Sequence, residues 1–428
     1  MLAYHYSRSE NKDKAVEYLG HANQKAARVN ALQEAKAYFD EAVKILDSLP
    51  QTEHNQKRRI SLLVNQGFVF QLLLKYREFY DLLTHHESMA TNLDDHGLLG
   101  AFYTRLGSCK WWFGQINQAI LTETKAVKLC EAGGKLEEVG RAYMALQWSY
   151  CYKGDFDKVL SLKETALPQM DQQISIRAYA FALFGASWAY SHTGNWDSAI
   201  EEGQKGLRIG EEFSNNSLIS FAAFSISVAY VLKGDLNRAI EYGEMAVQRA
   251  LTPADKVWAQ TGPFWALCRL GDPLKGIELG TDLLSAYRAV GFVPAEIYTV
   301  VTLGEGHWRY EDYDKATKLL CEGLELAERS GMRFLIGYAH RLLGETTLKV
   351  NSDKARNHFT RSIAMFQEIK AENELALAYS GYGRFHKQQG NMEQAREYHE
   401  KALEIFERLG TLIEPDKVKK ELADLSKK

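Results

Sequence analysis

Apolar residues along this chain recur at steps of three and four. Near the start they fall at Ala15, Tyr18 and Leu19, then at Ala35, Tyr38, Phe39 and Ala42; near the end they fall at Val418, Leu422 and Leu425. That is the spacing of one face of an α-helix. The strict alternation of a half-buried strand is missing, and only seven prolines occur, so the pattern predicts an all-α chain. The helices come in pairs at a fixed period. Gly114-Gln115-Ile116-Asn117, Gly154-Asp155-Phe156-Asp157, Gly194-Asn195-Trp196-Asp197 and Gly234-Asp235-Leu236-Asn237 follow one another at intervals of 40 residues. Aligned on the residue that opens each second helix, the register runs Phe79, Ala119, Val159, Ala199, Ala239, Gly276, Ala316, Ala355 and Ala395, with steps of 40, 40, 40, 40, 37, 40, 39 and 40. Each unit reads helix, tight turn, helix. Gly takes the left-handed conformation that stops the first helix, and Asp or Asn caps the second. Two turns depart from this: Glu311-Asp312-Tyr313-Asp314 has no Gly, and Asn351-Ser352-Asp353 is a residue short, with Asn351 expected to take the left-handed cap. Pro273 stands at the first helical position of its helix, where a missing N–H costs nothing. A repeat of this length predicts a right-handed α-solenoid, a superhelix of antiparallel helix pairs.

Three sections are expected. Residues 1–50 carry two short units whose anchoring alanines, Ala15 and Ala35, are 20 apart; residues 51–410 form the superhelix; residues 411–428, highly charged, form a solvating cap helix. The apolar, uncapped start at 2–6 is expected to be covered by another subunit or a preceding domain.

Composition narrows the class of function. The chain has 428 residues, 46% hydrophobic and 25% charged, with a formal net charge of -3. This gives no electrostatic case for nucleic acid or an anionic membrane. The longest apolar runs, such as Phe68 to Leu74, are too short to span a bilayer, and the first residues lack a signal-peptide pattern. Five cysteines without CxxC spacing read as reduced, mostly buried thiols, so a cytoplasmic location is expected.

The turn and helix residues resemble tetratricopeptide repeats. Tyr143, Leu146, Tyr150, Gly154, Phe156, Ala166 and Leu167 fall at that family's positions, as do Tyr190, Trp196, Ala199 and Leu207, then Tyr230, Ala239 and Ala246. The last unit matches with Tyr379, Gly383, Gly390, Ala395, Ala402 and Leu403. The period is longer than the family's, which implies helices longer by about a turn and a half. A narrower resemblance concerns the amino-terminal run through Asp13-Lys14-Ala15-Val16-Glu17-Tyr18-Leu19 and Glu34-Ala35. It is similar to the segment that follows the ATPase module in STAND-type signalling ATPases and in class III adenylate/guanylate cyclases with ATPase and tetratricopeptide modules. That resemblance implies a sensor arm, with an ATPase or cyclase module as a partner in cis or trans. No phosphate loop accompanies it: Gly133-Gly134-Lys135 lacks the upstream Gly, and Leu136 stands where Ser or Thr belongs.

In such a fold the first helix of each pair lines the concave surface. The candidate groove residues are Trp111, Arg141, Trp148, Tyr152, Phe181, Phe184, Trp188, His192, Phe221, Phe224, Trp258, Trp265, Trp308, Arg309, Arg341, Arg384 and Lys387. Aromatic anchors sit mid-groove, and the far end turns basic. The expected function is a non-catalytic scaffold or sensor arm that takes a protein or peptide segment in this groove. Aromatics at helical spacing are as readily core. The alternative function is a small-molecule inducer sensor, with a closed pocket in place of an open groove. An enzyme is disfavoured because no convergent acid, base and nucleophile set is visible. No cofactor and no metal are expected: His85-His86 is a surface pair by this reading, and His5, His307, His340, His386 and His399 have no partners at a recognisable spacing. Gly304-Glu305-Gly306 reads as close helix packing.

Overall fold

The computed structural model describes residues 11–29, 31–169, 172–348 and 352–425, and every regular element among them is helical. The start at 2–6, His5 and the cap at Asn351 lie outside the described residues. The protein is an all-α solenoid of antiparallel helix pairs, and full-length helices run to 17 or 18 residues, as in Trp196–Glu212, Asn216–Lys233 and Tyr313–Ser330.

The two helices of a pair bury different amounts of surface. Second helices bury a narrow stripe of small residues: Ala239, Gly243 and Ala246 in Leu236–Arg249, and Ala316, Leu320, Gly323 and Ala327 in Tyr313–Ser330. First helices in the middle of the chain are buried all round; in Asn216–Lys233 every residue from Leu218 to Leu232 is buried. First helices therefore line the inside of the superhelix and second helices its outside. The same burial explains why Asn216–Lys233 alone, among the described residues, is long and apolar enough to cross a membrane; 83% of it is buried within the fold.

The turns follow the expected chemistry with several departures: Asn391 makes no side-chain cap, Gly271 lacks a positive φ, and Leu74 stands in place of a glycine at φ +56°. Gly114, Gly154, Gly194, Gly234 and Gly390 all have positive φ, between 72° and 95°. Asn195, Asp235, Asp272 and Asp312 cap their helices through side-chain oxygens. Asp155 does not cap. Its carboxylate is drawn to Arg333, which also donates to the carbonyls of Lys153 at 3.3 Å and Gly154 at 3.2 Å. The turn without Gly places Glu311 itself at φ +65°. The short unit differs in another way. Its first helix is broken into Pro253–Ala259 and Thr261–Arg269, because Pro263 has no N–H to give to Ala259. Thr252 and Asp255 close a capping box at the start of the first piece.

Successive turns of the superhelix touch. Trp112 Nε1 donates to Val290 O at 3.2 Å, Arg333 reaches Lys153 O, and Leu412 N donates to Lys233 O at 2.8 Å; each pair is separated by 178 to 180 residues. One superhelical turn thus takes about four and a half 40-residue units. Gly114, Gly194 and Gly234 sit at these contacts. A Cβ on Gly114 would lie 2.6 Å from Val293, one on Gly194 2.7 Å from Leu409, and one on Gly234 2.8 Å from Leu412 O. Gly is required there twice over, for its backbone conformation and for close approach. Gly304 and Gly306 are packing residues too, against Leu320 and Cys268. His86 is buried and not on the surface, with Nδ1 2.8 Å from Leu82 O. At the chain's end Val418 of Glu414–Leu425 is buried against Ala402 and Phe406.

Candidate functional site

Close winding fills the axis. Tyr152 stacks on Trp188, with centroids 5.9 Å apart, and both touch Tyr298 across the axis, at 5.8 and 5.6 Å. His192 meets Phe334 at 4.4 Å, and Trp265 packs on Tyr298 and Tyr338. Phe184, Phe224, Trp188, Trp265, Tyr152 and His192 are therefore interior packing, not the wall of an open groove. Burial drives His192 down to about 3, so the ring is neutral.

The basic end of the expected groove is also occupied, by the chain's own carboxylates. Arg341 pairs with Glu374 at 3.3 Å and lies 3.9 Å from Glu305; Arg309 pairs with Glu305 at 2.9 Å; Arg384 pairs with Glu345 and, at 2.9 Å, with Glu421. Arg269 joins this cluster through Glu374, and Tyr338 donates to Glu305. Burial by itself would raise Glu305, but Arg309, Arg269 and Arg341 outweigh it and hold the carboxyl at about 2. Burying a guanidinium without a counter-charge is costly, and these arginines acquire one within the fold. Trp308 lies under the Arg309 guanidinium, and Lys387 is half-buried.

What stays open is the amino-terminal mouth of the superhelix. A cavity of about 290 Å³ lies between the helices Glu53–Leu72, His96–Trp112, Leu136–Lys153 and Gln172–Thr193. A second, of about 100 Å³, continues inward from it, and the two share Gln71, Tyr76, Ser108, Met144 and Arg177. Of the sequence candidates, Arg141 lines the outer part, and Trp111, Trp148, Phe181, Phe221 and Trp258 line the inner part. Trp111 and Trp258 present nearly parallel rings, 11° apart in plane. Depressions on the outer face are larger but shallow: one of about 500 Å³ is walled by exposed residues of second helices, among them Glu241, Glu244 and Arg249, and carries no aromatic side chain. An enclosed aromatic wall with a few polar groups is the better ligand site.

The polar groups of the mouth are mostly donors. Arg105 is held by Glu138 and by Val64 O, and Arg141 by Glu137. Arg177 is different. Its guanidinium lies over the rings of Phe68 and Phe181, at 5.0 and 4.7 Å, and makes no ion pair among the described residues. Burial lowers Arg177 to about 10, with Asp255 opposing, so it stays charged at neutral pH. The oxygens of Asp255 are already used by Ser217 Oγ at 2.7 Å and Thr252 N at 3.1 Å. The indole nitrogens of Trp111 and Trp148 are buried without a partner among the described residues. So are both carboxyl oxygens of Glu123; burial pushes this carboxyl up to about 8, with Ser149 and Lys110 opposing. Sequence reasoning missed Arg177, Glu123 and Asp255 as site residues. Arg177 had a signal, since it precedes Phe181 by one helical turn on the same face.

The comparisons agree with this architecture. Residues 376–408 match the tetratricopeptide repeat family. The fold is a tetratricopeptide-like solenoid. A Rap protein complexed with competence and sporulation factor is similar to it with a TM-score of 0.51 and 14% identity, over 92% of this chain and 98% of that one. The Cut9–Hcn1 hetero-tetramer of the APC/C is similar with a TM-score of 0.55 and 13% identity, over 97% of this chain and 77% of that one. A sequence comparison with curated proteins finds no match. At these identities the likeness concerns the fold. Among the described residues, no group of three or more His, Cys, Asp or Glu is placed to hold a metal.

Proposed function

We propose that this solenoid is a non-catalytic interaction module that receives its ligand at the amino-terminal mouth of the superhelix. The observation that carries the reading is the filled axis. With Tyr152, Trp188 and Tyr298 in mutual contact and Phe334 stacked on Tyr298, an extended segment has no path along the interior, and the aromatic cavity at the mouth is where a ligand can enter. A short partner segment, seated by its tip, fits this geometry. The complexes in which the similar solenoids were solved, one with competence and sporulation factor and one a hetero-tetramer, support a partner-binding role. A signalling module of the ATPase or cyclase kind is a partner in keeping with the amino-terminal resemblance, acting in the cytoplasm. The small, confined cavity also favours a second reading, an inducer-sized molecule in the same place.

The test is affinity capture by the wild type and by a Ser108→Trp variant, which plugs the cavity from a half-exposed position. With helicity and melting temperature matched, partners that depend on the mouth disappear from the variant. Retention of every partner by Ser108→Trp sinks the reading.

A further inference from the structure

Apart from the Glu123 carboxyl, the unpaired polar groups named at the mouth are donors. Arg177 offers N–H donors that make no ion pair among the described residues, its guanidinium lying over the rings of Phe68 and Phe181. Trp148 is 8% exposed, and its indole N–H, like that of Trp111, is buried without an acceptor among the described residues. A buried donor without an acceptor is a standing cost that a ligand oxygen removes. Asp255 lines the same cavity and its charge favours the Arg177 cation, but it makes no ion pair with it; its two oxygens accept from Ser217 Oγ and Thr252 N. Glu123 adds no opposing charge at neutral pH, because burial keeps it protonated. Around these donors Trp112, Phe181, Phe221 and Trp258 supply the apolar part of the wall, with Gln71 and Ser108 beside them.

We propose that this cavity binds a compact organic anion, its carboxylate held by Arg177 and the indole N–H groups of Trp111 and Trp148 and its apolar, planar body seated against Phe181 and Trp258. The inference rests on reading the mouth as the ligand site. Two sources carry this chemistry: the chain end of a partner peptide with an apolar last side chain, and a free aromatic acid.

The experiment is isothermal titration of the full chain with four probes: N-acetyl-dialanyl-phenylalanine, its carboxamide, 3-phenylpropionate, and 3-phenylpropionamide. At least one acid is expected to bind, with its amide tenfold weaker or worse. Arg177→Gln should cost the acid tenfold or more and leave the amide unchanged. Trp148→Phe, which keeps a ring and removes the N–H, should cost the acid several-fold. Binding of the peptide acid alone assigns the site to a chain end; comparable binding of 3-phenylpropionate assigns it to a free acid. The proposal is overturned if acid and amide bind within twofold of each other, if Arg177→Gln leaves the acid unaffected, or if no probe binds at millimolar concentration. In each of those cases a Ser108→Trp variant that still loses its captured partners leaves the mouth as the ligand site, and only the anion is wrong.

Discussion

Glu311 occupies the turn position where Gly114, Gly154, Gly194, Gly234 and Gly390 stand in other units, and it adopts the same left-handed backbone at φ +65°. For a residue with a Cβ that conformation costs about 1–2 kcal/mol. Glu311 is exposed and its side chain has little packing to lose. Glu311→Gly is therefore expected to raise stability by about 1 kcal/mol, a small part being offset by the greater freedom of Gly in the unfolded chain; a urea titration reads this as a higher midpoint at constant slope. Glu123 makes a second prediction at this scale. Its carboxyl titrates near 8 in the folded state against an ordinary 4.5. The folded protein therefore holds a proton that the unfolded chain has released, and stability falls as pH rises from about 4.5 to 8. Glu123→Gln should flatten that fall, with a relative gain at pH 8 over pH 5 of a few kcal/mol at most. A melting temperature that drops equally in both proteins across this range would falsify the assignment. His192, driven to about 3, acts on the other limb: its contribution is lost as pH falls from 6.5 towards 3, because the unfolded chain takes up the proton first.

At the scale of elements, the helix pair is set locally and then modified by its neighbours. The Gly-Asp turn before Phe156 shows this. The sequence reads as a stop and a cap, yet Asp155 turns away from its helix to meet Arg333 from the next superhelical turn. Two glycines separate the local role from the distant one. Gly390 has φ +77° and open space around it, whereas Gly194 has φ +86° and faces Leu409. Gly390→Ala should cost about 1–2 kcal/mol, the backbone penalty alone. Gly194→Ala should cost a further 1–3 kcal/mol or so from overpacking. Combining Gly194→Ala with Leu409→Ala should then show a coupling of about 0.5–3 kcal/mol in denaturation experiments, while Gly390→Ala and Leu409→Ala should simply add.

For the whole molecule, the contacts that matter join residues 100 or more apart in sequence. Arg269 meets Glu374 from 105 residues away, with Arg341 on the same carboxylate, and all three are 5% exposed or less. Removing the shared acid strands two buried cations. Glu374→Leu is expected to cost about 3–5 kcal/mol. Arg333→Ala, at a more exposed clamp, should cost about 1 kcal/mol or less. If winding depends on these clamps, Glu374→Leu should also lengthen the particle in small-angle scattering under conditions where circular dichroism stays fully helical. Unchanged dimensions would place the role of the cluster within local packing only.

The sequence by itself determined the helices, their pairing, the period and the glycine turns, because these depend on residues within one or two units of each other. It also brought Trp111, Arg141, Trp148, Phe181, Phe221 and Trp258 into one set, since they hold related positions on neighbouring first helices. It did not separate them from Trp188, Trp265 or His192, which carry the same local pattern. Only the tertiary structure did that. A solenoid rotates a little at each unit, and about four and a half units of accumulated rotation decide whether the interior stays open or meets the next turn. Here Tyr298 and Phe334 meet Trp188 and His192 across the axis and close the middle, while Glu305, one helical turn before Arg309, and Glu374, in the unit after Arg341, neutralise the far arginines. The amino-terminal mouth, which these contacts do not reach, keeps Arg177 and its unpaired indole neighbours facing a cavity.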